Sequence, residues 1–193
     1  MKLLACIWML AAGAGFCILL EYANTPGEAG RAVSDWPVES QIVRDPGRAN
    51  LILAVHPHCP CSRATIDALA HVMTRCQGLA TAHVLFYRPA DFPEGWERTD
   101  LWHNAAKIPG VTTISDEDGL EAIRFGAETS GHVVLYSARG ELLFSGGITV
   151  SRGHQGSNPC LESLISCLVQ SNPDRTPWPV FGCPLQSLEG TSR

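Results

Sequence analysis

Apolar and polar positions alternate along the chain with changing period, and each change marks an element. From Leu3 to Leu20 there are 18 uncharged residues between Lys2 and Glu21. As a helix rising ~1.5 Å per residue they are about 27 Å long, enough to cross a bilayer's hydrocarbon core. Leu19-Leu20-Glu21-Tyr22-Ala23 is a poor cleavage site, so the segment reads as an uncleaved signal anchor with residues 21 onward outside a bacterial cytoplasmic membrane. Residues 21–48, rich in Gly, Pro, Arg and Asp, lack sustained periodicity and read as a tether. Leu51–Val55 is a short apolar run suited to a buried strand. Ile66, Leu69, Ala70 and Met73 then fall on one stripe of a helix over 62–75.

Residues 81–87 supply a second strand. Thr99-Asp100 caps a helix over 101–107, which Pro109-Gly110 ends. A brief apolar stretch at 111–114 precedes a short helix over 118–125. Two apolar runs, 132–136 and 141–144, flank Ser137-Ala138-Arg139-Gly140 and predict a hairpin. Asn158-Pro159 opens a last helix with Leu161, Leu164, Ile165 and Leu168 on one face. The predicted organisation is an anchor (1–20), a tether (21–48), one α/β domain (49–170) whose mixed sheet is flanked by helices, and a proline-rich tail (171–193).

Composition narrows the function. Lys and Arg number 14 against 19 Asp and Glu, net charge −5, and no basic run occurs, which argues against a nucleic-acid partner. An apolar share of 45% excludes a disordered chain. Of eight cysteines, Cys6 and Cys17 lie in the anchor and read as small apolar residues. The other six would stand in an oxidising compartment, where a free thiol persists only if it is reduced or metal-bound.

Two of them form Cys59-Pro60-Cys61 at the passage from the first strand to its helix. A thiolate is favoured at a helix start by unpaired amides and the dipole, so Cys59 is the candidate nucleophile and Cys61 the resolving thiol. His58, and His56 beyond it, are placed to add positive charge or relay a proton. Two thiolates are also soft ligands, and with His56 or His58 they suit Cu(I). A zinc site lacks its second paired spacing, and Val55-His56-Pro57 lacks the hydroxyl expected before a peroxidatic cysteine. A structural disulfide this short constrains almost no chain. Cys160 and Cys167, about 10 Å apart along one helix, cannot pair with each other. With Cys76 they read as buried or structural. Cys183, in the tail, is either a bridge to one of these three or a tethered relay thiol reaching the active turn.

Strand, cysteine turn, helix, strand, helices, hairpin, helix over about residues 50 to 170 resembles the thioredoxin superfamily. More narrowly, His-Pro-His-Cys-Pro-Cys-Ser-Arg at 56–63, Phe-Ser-Gly-Gly-Ile-Thr at 144–149, Arg-Gly-His at 152–154 and Pro-Val-Phe-Gly-Cys-Pro-Leu at 179–185 resemble the membrane-anchored bacterial RedB-type proteins. The resemblance implies a membrane-tethered thiol–disulfide oxidoreductase facing the periplasm, exchanging with protein thiols or disulfides or a redox partner protein, without an organic cofactor. It also makes Ser130, Gly131 and His132 candidates for the loop that holds substrate. His154, on a loop with glycine on both sides that would allow close backbone approach, reads by default as a solvated histidine and otherwise as a candidate at the active-site face. Copper-delivery members of the superfamily place a histidine near His132, which extends the Cu(I) alternative. The sequence departs from the thioredoxin pattern twice: one residue instead of two separates the cysteines, and the loop before the hairpin carries Gly131 but no proline.

Overall fold

The computed structural model describes residues 1–28 and 30–186. Its elements are α1 (Lys2–Asn24), β1 (Ala49–Val55), α2 (Ser62–Arg75), β2 (Ala80–Arg88), α3 (Asp100–Ala105), β3 (Val111–Glu117), α4 (Leu120–Arg124), β4 (Val133–Tyr136), β5 (Leu142–Gly146) and α5 (Pro159–Gln170). The five strands form one sheet in the order β3-β2-β1-β4-β5. β1, β2 and β3 run parallel, and β4 turns antiparallel to β1 and pairs with β5 in the predicted hairpin.

The central strand is buried on both faces, which is why 51–55 is continuously apolar. Leu51, Leu53 and Val55 face a core shared with α2, α3 and α5 through Leu69, Leu101 and Leu164. Ile52 faces the other side, with Leu85, Val134, Phe125 and Tyr136. β3 was not foreseen, because the apolar stretch at 111–114 is too brief to mark a strand. It lies at the sheet edge and only Asp116 of it is buried, so no apolar pattern is required there. α5 begins as predicted, with Asn158 Oδ1 accepting the Leu161 amide at 3.0 Å and Pro159 in its first turn.

The segment expected to act as a tether is bound to the domain along much of its length. Trp36 packs edge-on against Phe125 and Tyr136 at 4.9 and 5.4 Å between ring centroids, Ile42 is buried, and the Tyr136 hydroxyl donates to the Val33 carbonyl at 3.0 Å. These residues cover the second face of the sheet. Residues 174–185 of the proline-rich tail are equally fixed. Asp174 accepts from the Trp178 indole at 2.7 Å and the Thr176 amide at 2.8 Å, and Val180, Phe181 and Leu185 are buried. α1 has no buried residue, and its mean hydropathy of 2.4 makes it a candidate transmembrane span by length and composition.

Candidate active site

β1 ends at Val55 and the chain turns through residues 56–61 into α2. The Cys59 amide donates to the His56 carbonyl at 3.0 Å and the Ser62 amide to the Cys59 carbonyl at 3.1 Å, so the turn is closed by its own backbone. Cys61 caps α2 in helical conformation, and no side chain hydrogen-bonds the helix's first amides. Cys59 and Cys61 are buried, at 1% and 8% exposure.

Cys183 completes the group. Residues 181–185 form a strap against the loop before β4. The Ser130 amide donates to the Cys183 carbonyl at 2.8 Å, the Leu185 amide donates to the Glu128 carbonyl at 2.9 Å, and Thr129 and Pro184 form an antiparallel bridge. Gly182 is required in this strap: a Cβ there would stand 1.8 Å from the Ser130 carbonyl oxygen. The Cys183 thiol is thereby brought beside Cys59. Cys183, a free thiol here, stands by the turn that carries Cys59.

The electrostatics separate the three thiols. Burial pushes Cys59 up, but hydrogen bonds from the Cys183 thiol, the Ser62 hydroxyl and the backbone amides of Cys183 and Cys61 outweigh it and hold Cys59 below the ordinary thiol value. Burial and then the charge of Cys59 push Cys61 up, against a hydrogen bond from Arg152. Burial and the same neighbouring charge push Cys183 up to about 12. Of the three thiols Cys59 therefore gives up its proton most readily and Cys183 least. Cys76, Cys160 and Cys167 are buried elsewhere and raised by desolvation, in keeping with inert thiols.

Ser62 acts through a chain of hydroxyls. The His56 amide donates to Ser130 Oγ at 2.8 Å, and Ser130 and Ser62 are joined at 2.7 Å. With Ser130 accepting from the amide, its proton serves Ser62, whose own proton is left for Cys59. Ser130, foreseen as a substrate-loop residue, thus joins the His56 amide to the Ser62 hydroxyl next to Cys59. Gly131 takes φ +97°, the freedom expected of it, and its amide donates to the Ala54 carbonyl at 2.8 Å.

The histidines are placed otherwise than their spacing suggests. His58 is exposed with its ring 4.6 Å from Trp96, and His56 stacks on Tyr87 at 5.8 Å and accepts the His58 amide on Nδ1. Burial, then the charge of His58, lowers His56. His132 is 1% exposed, its Nε2 joined to Ser145 Oγ at 2.9 Å, and burial lowers it to about 4, so it is neutral. Among the described residues no three His, Cys, Asp or Glu side chains are grouped to hold a metal ion.

His154 is exposed on its loop; the neighbour that reaches the thiols is Arg152. Its guanidinium donates to the Gly182 carbonyl at 2.5 Å and the Tyr22 carbonyl at 3.1 Å, lies 4.6 Å from the Tyr22 ring, and lies close enough to Cys61 to pull its pKa down. Ser62 and Arg152 are the residues the sequence reading missed. The hydroxyl directly after a cysteine pair was the only available signal for Ser62, and Arg152 had none beyond standing in the Arg-Gly-His stretch.

No family model and no curated protein matches the chain. Among solved structures, it is similar to a hypothetical protein from Sinorhizobium meliloti 1021, 18% identical, with 86% of this chain and 96% of that one covered and a TM-score of 0.62. An uncharacterized conserved protein from Geobacillus kaustophilus is 16% identical over 88% of this chain and 95% of its own, TM-score 0.59. Both likenesses extend over most of either chain, and in this chain the sheet carries helices on its faces and the cysteine turn lies between β1 and α2. The fold is thioredoxin-like. The exposed lipoprotein thioredoxin of Streptococcus pneumoniae strain TIGR4 is also matched, 10% identical over 72% of this chain and 99% of that one, at a TM-score of 0.48 that carries no weight for the chemistry. At such identities the likeness is one of fold alone.

Proposed function

We propose that this protein is a membrane-tethered thiol–disulfide oxidoreductase whose reacting atom is the sulfur of Cys59. The observation that carries the reading is the convergence of three thiols at the start of α2, with hydrogen bonds arranged to favour the thiolate on one of them. Cys59 attacks a sulfur of a partner protein's disulfide, that S–S bond breaks, and the first partner sulfur leaves as a thiolate that takes up a proton. Cys61 then attacks Cys59, closing the C-x-C disulfide and releasing the second partner sulfur. Two electrons pass from the protein to the partner, and no organic cofactor enters. α1 anchors the chain in the cytoplasmic membrane of a bacterium and the domain faces the periplasm, the compartment in which such exchange proceeds.

The RedB-type resemblance belongs to this proposal. Its support is spatial: Cys59, Cys61, Arg152 and the 181–185 strap meet around the thiols, and the 144–149 stretch, which holds the end of β5, is joined to the tail through the Gly146–Trp178 bridge.

Full-length protein in detergent, equilibrated with glutathione buffers of graded potential and then alkylated, tests the reading. The expected result is one two-electron transition, abolished by Cys59→Ser. Tight one-to-one Cu(I) binding that Cys61→Ser abolishes, in a protein with no such transition, would replace it by the copper reading.

A further inference from the structure

Cys59 is 1% exposed, whereas Cys183 beside it is partly open to solvent. The thiol best suited to carry charge is the one an outside protein meets last. On the oxidoreductase reading above, in which the reduced protein attacks a disulfide through Cys59, we propose that Cys183 is the exchange thiol of the oxidised protein: it holds a Cys59–Cys183 disulfide, and a thiolate of a second, reducing partner attacks the outward Cys183 sulfur and expels Cys59.

The strap is built to present that sulfur. Beyond the two backbone hydrogen bonds to residues 128–130, the Gly27 amide donates to the Val180 carbonyl at 2.8 Å and Arg152 to the Gly182 carbonyl at 2.5 Å. Ordering the strap puts a cysteine beside the nucleophile, and only glycine fits at the residue before it. An extended segment paired antiparallel to a loop edge is also how one protein commonly presents a peptide to another, so the chain carries its own bound segment.

The chemistry assigns direction within the pair. In an exchange the sulfur with the lower thiol pKa leaves faster, and the accessible sulfur is the one attacked. Cys59 is the better leaving group, since Ser62 and the Cys61 amide remain to hold its charge, and Cys183 is the accessible sulfur. The partner thiolate forms an S–S bond to Cys183 as the Cys59–Cys183 bond breaks, leaving Cys59 as thiolate. A second partner thiolate attacks the partner sulfur of that mixed disulfide, and Cys183 leaves and takes up a proton. The partner dithiol loses two electrons and two protons and becomes a disulfide, and the protein disulfide becomes two thiols. Cys61 shares this couple: its thiolate attacks Cys59, frees Cys183 and gives the Cys59–Cys61 isomer with no net electron change.

The test uses full-length protein in detergent, oxidised with glutathione disulfide, acid-quenched and alkylated. Trypsin, cutting after Arg48, Arg63 and Arg175, places Cys59 and Cys61 in peptide 49–63 and Cys183 in peptide 176–193. The two peptides are expected linked, and still linked in Cys61→Ser. Oxidised wild type given reduced glutathione and quenched early is expected to carry glutathione on 176–193. Cys183→Ser, which retains a hydroxyl donor, is expected to oxidise only within 49–63 and to be reduced by glutathione at least tenfold more slowly. A wild-type disulfide confined to 49–63, or an early adduct on 49–63, overturns the proposal, as does Cys183→Ser reduced at the wild-type rate. Absence of any disulfide in wild type at every glutathione ratio sinks the oxidoreductase reading itself, and this inference with it.

Discussion

Ser62 illustrates how much of the site's chemistry rests on one hydroxyl. It is buried, it is oriented by Ser130, and it is one of the two side chains that hold Cys59 below the usual thiol value. A hydrogen bond to a charged group contributes about 1.5–3 kcal/mol. Ser62→Ala is therefore expected to raise the pKa of Cys59 and slow its alkylation by iodoacetamide at pH 7 by roughly tenfold. The pH–rate midpoint moves up, because the thiolate is the reacting form and less of it is present at neutral pH. An unchanged midpoint would mean that Ser62 does not donate to Cys59. The pair Cys59 and Cys61 was legible in the sequence, since its spacing at a strand–helix junction is itself a chemical signal. Arg152 was not, because a loop's sequence does not say which of Arg152, Gly153 and His154 turns inward.

At the scale of elements, the strap over 181–185 governs access. A methyl group at Gly182 meets the Ser130 carbonyl well inside van der Waals contact, and the cheapest relief is to lift the strap from the loop. Gly182→Ala is expected to leave the sheet and α2 folded, to remove hydrogen-exchange protection from the Ser130 and Leu185 amides, and to speed labelling of Cys59 by about tenfold or more. Equal labelling in both proteins would show that the strap does not limit access. The elements themselves were largely readable. β1, α2, β2, the hairpin and α5 announce themselves through period, caps and turns, because each buries an apolar face. β3 escaped because an edge strand with one buried residue needs no such face.

For the molecule as a whole, residues 22–27 and the 180–185 strap meet beside the thiols. Arg152 holds the last turn of α1 through Tyr22 and Ala23, and holds the strap through Gly182. Residues 33–42, read as part of a spacer, cover one face of the sheet instead. With α1 in a bilayer, the site therefore lies close to the membrane surface. The full chain is expected to sediment with membranes and resist alkaline carbonate extraction, whereas a chain lacking residues 1–20 is released. Recovery of the full chain in the soluble fraction would remove the anchor from this account.

The sequence by itself determined what depends on neighbours in the chain: the span-length apolar helix, the alternation that builds the sheet, and a thiol pair at a helix start. These follow from local geometry and from the demand that apolar faces be buried. Tertiary structure alone decided which of the remaining thiols joins that pair. Cys183 lies more than a hundred residues from Cys59, as do the tail and the 22–28 segment from one another. Their meeting depends on side chains that carry no pattern of their own, a glycine that admits a carbonyl and an arginine that binds two carbonyls at once.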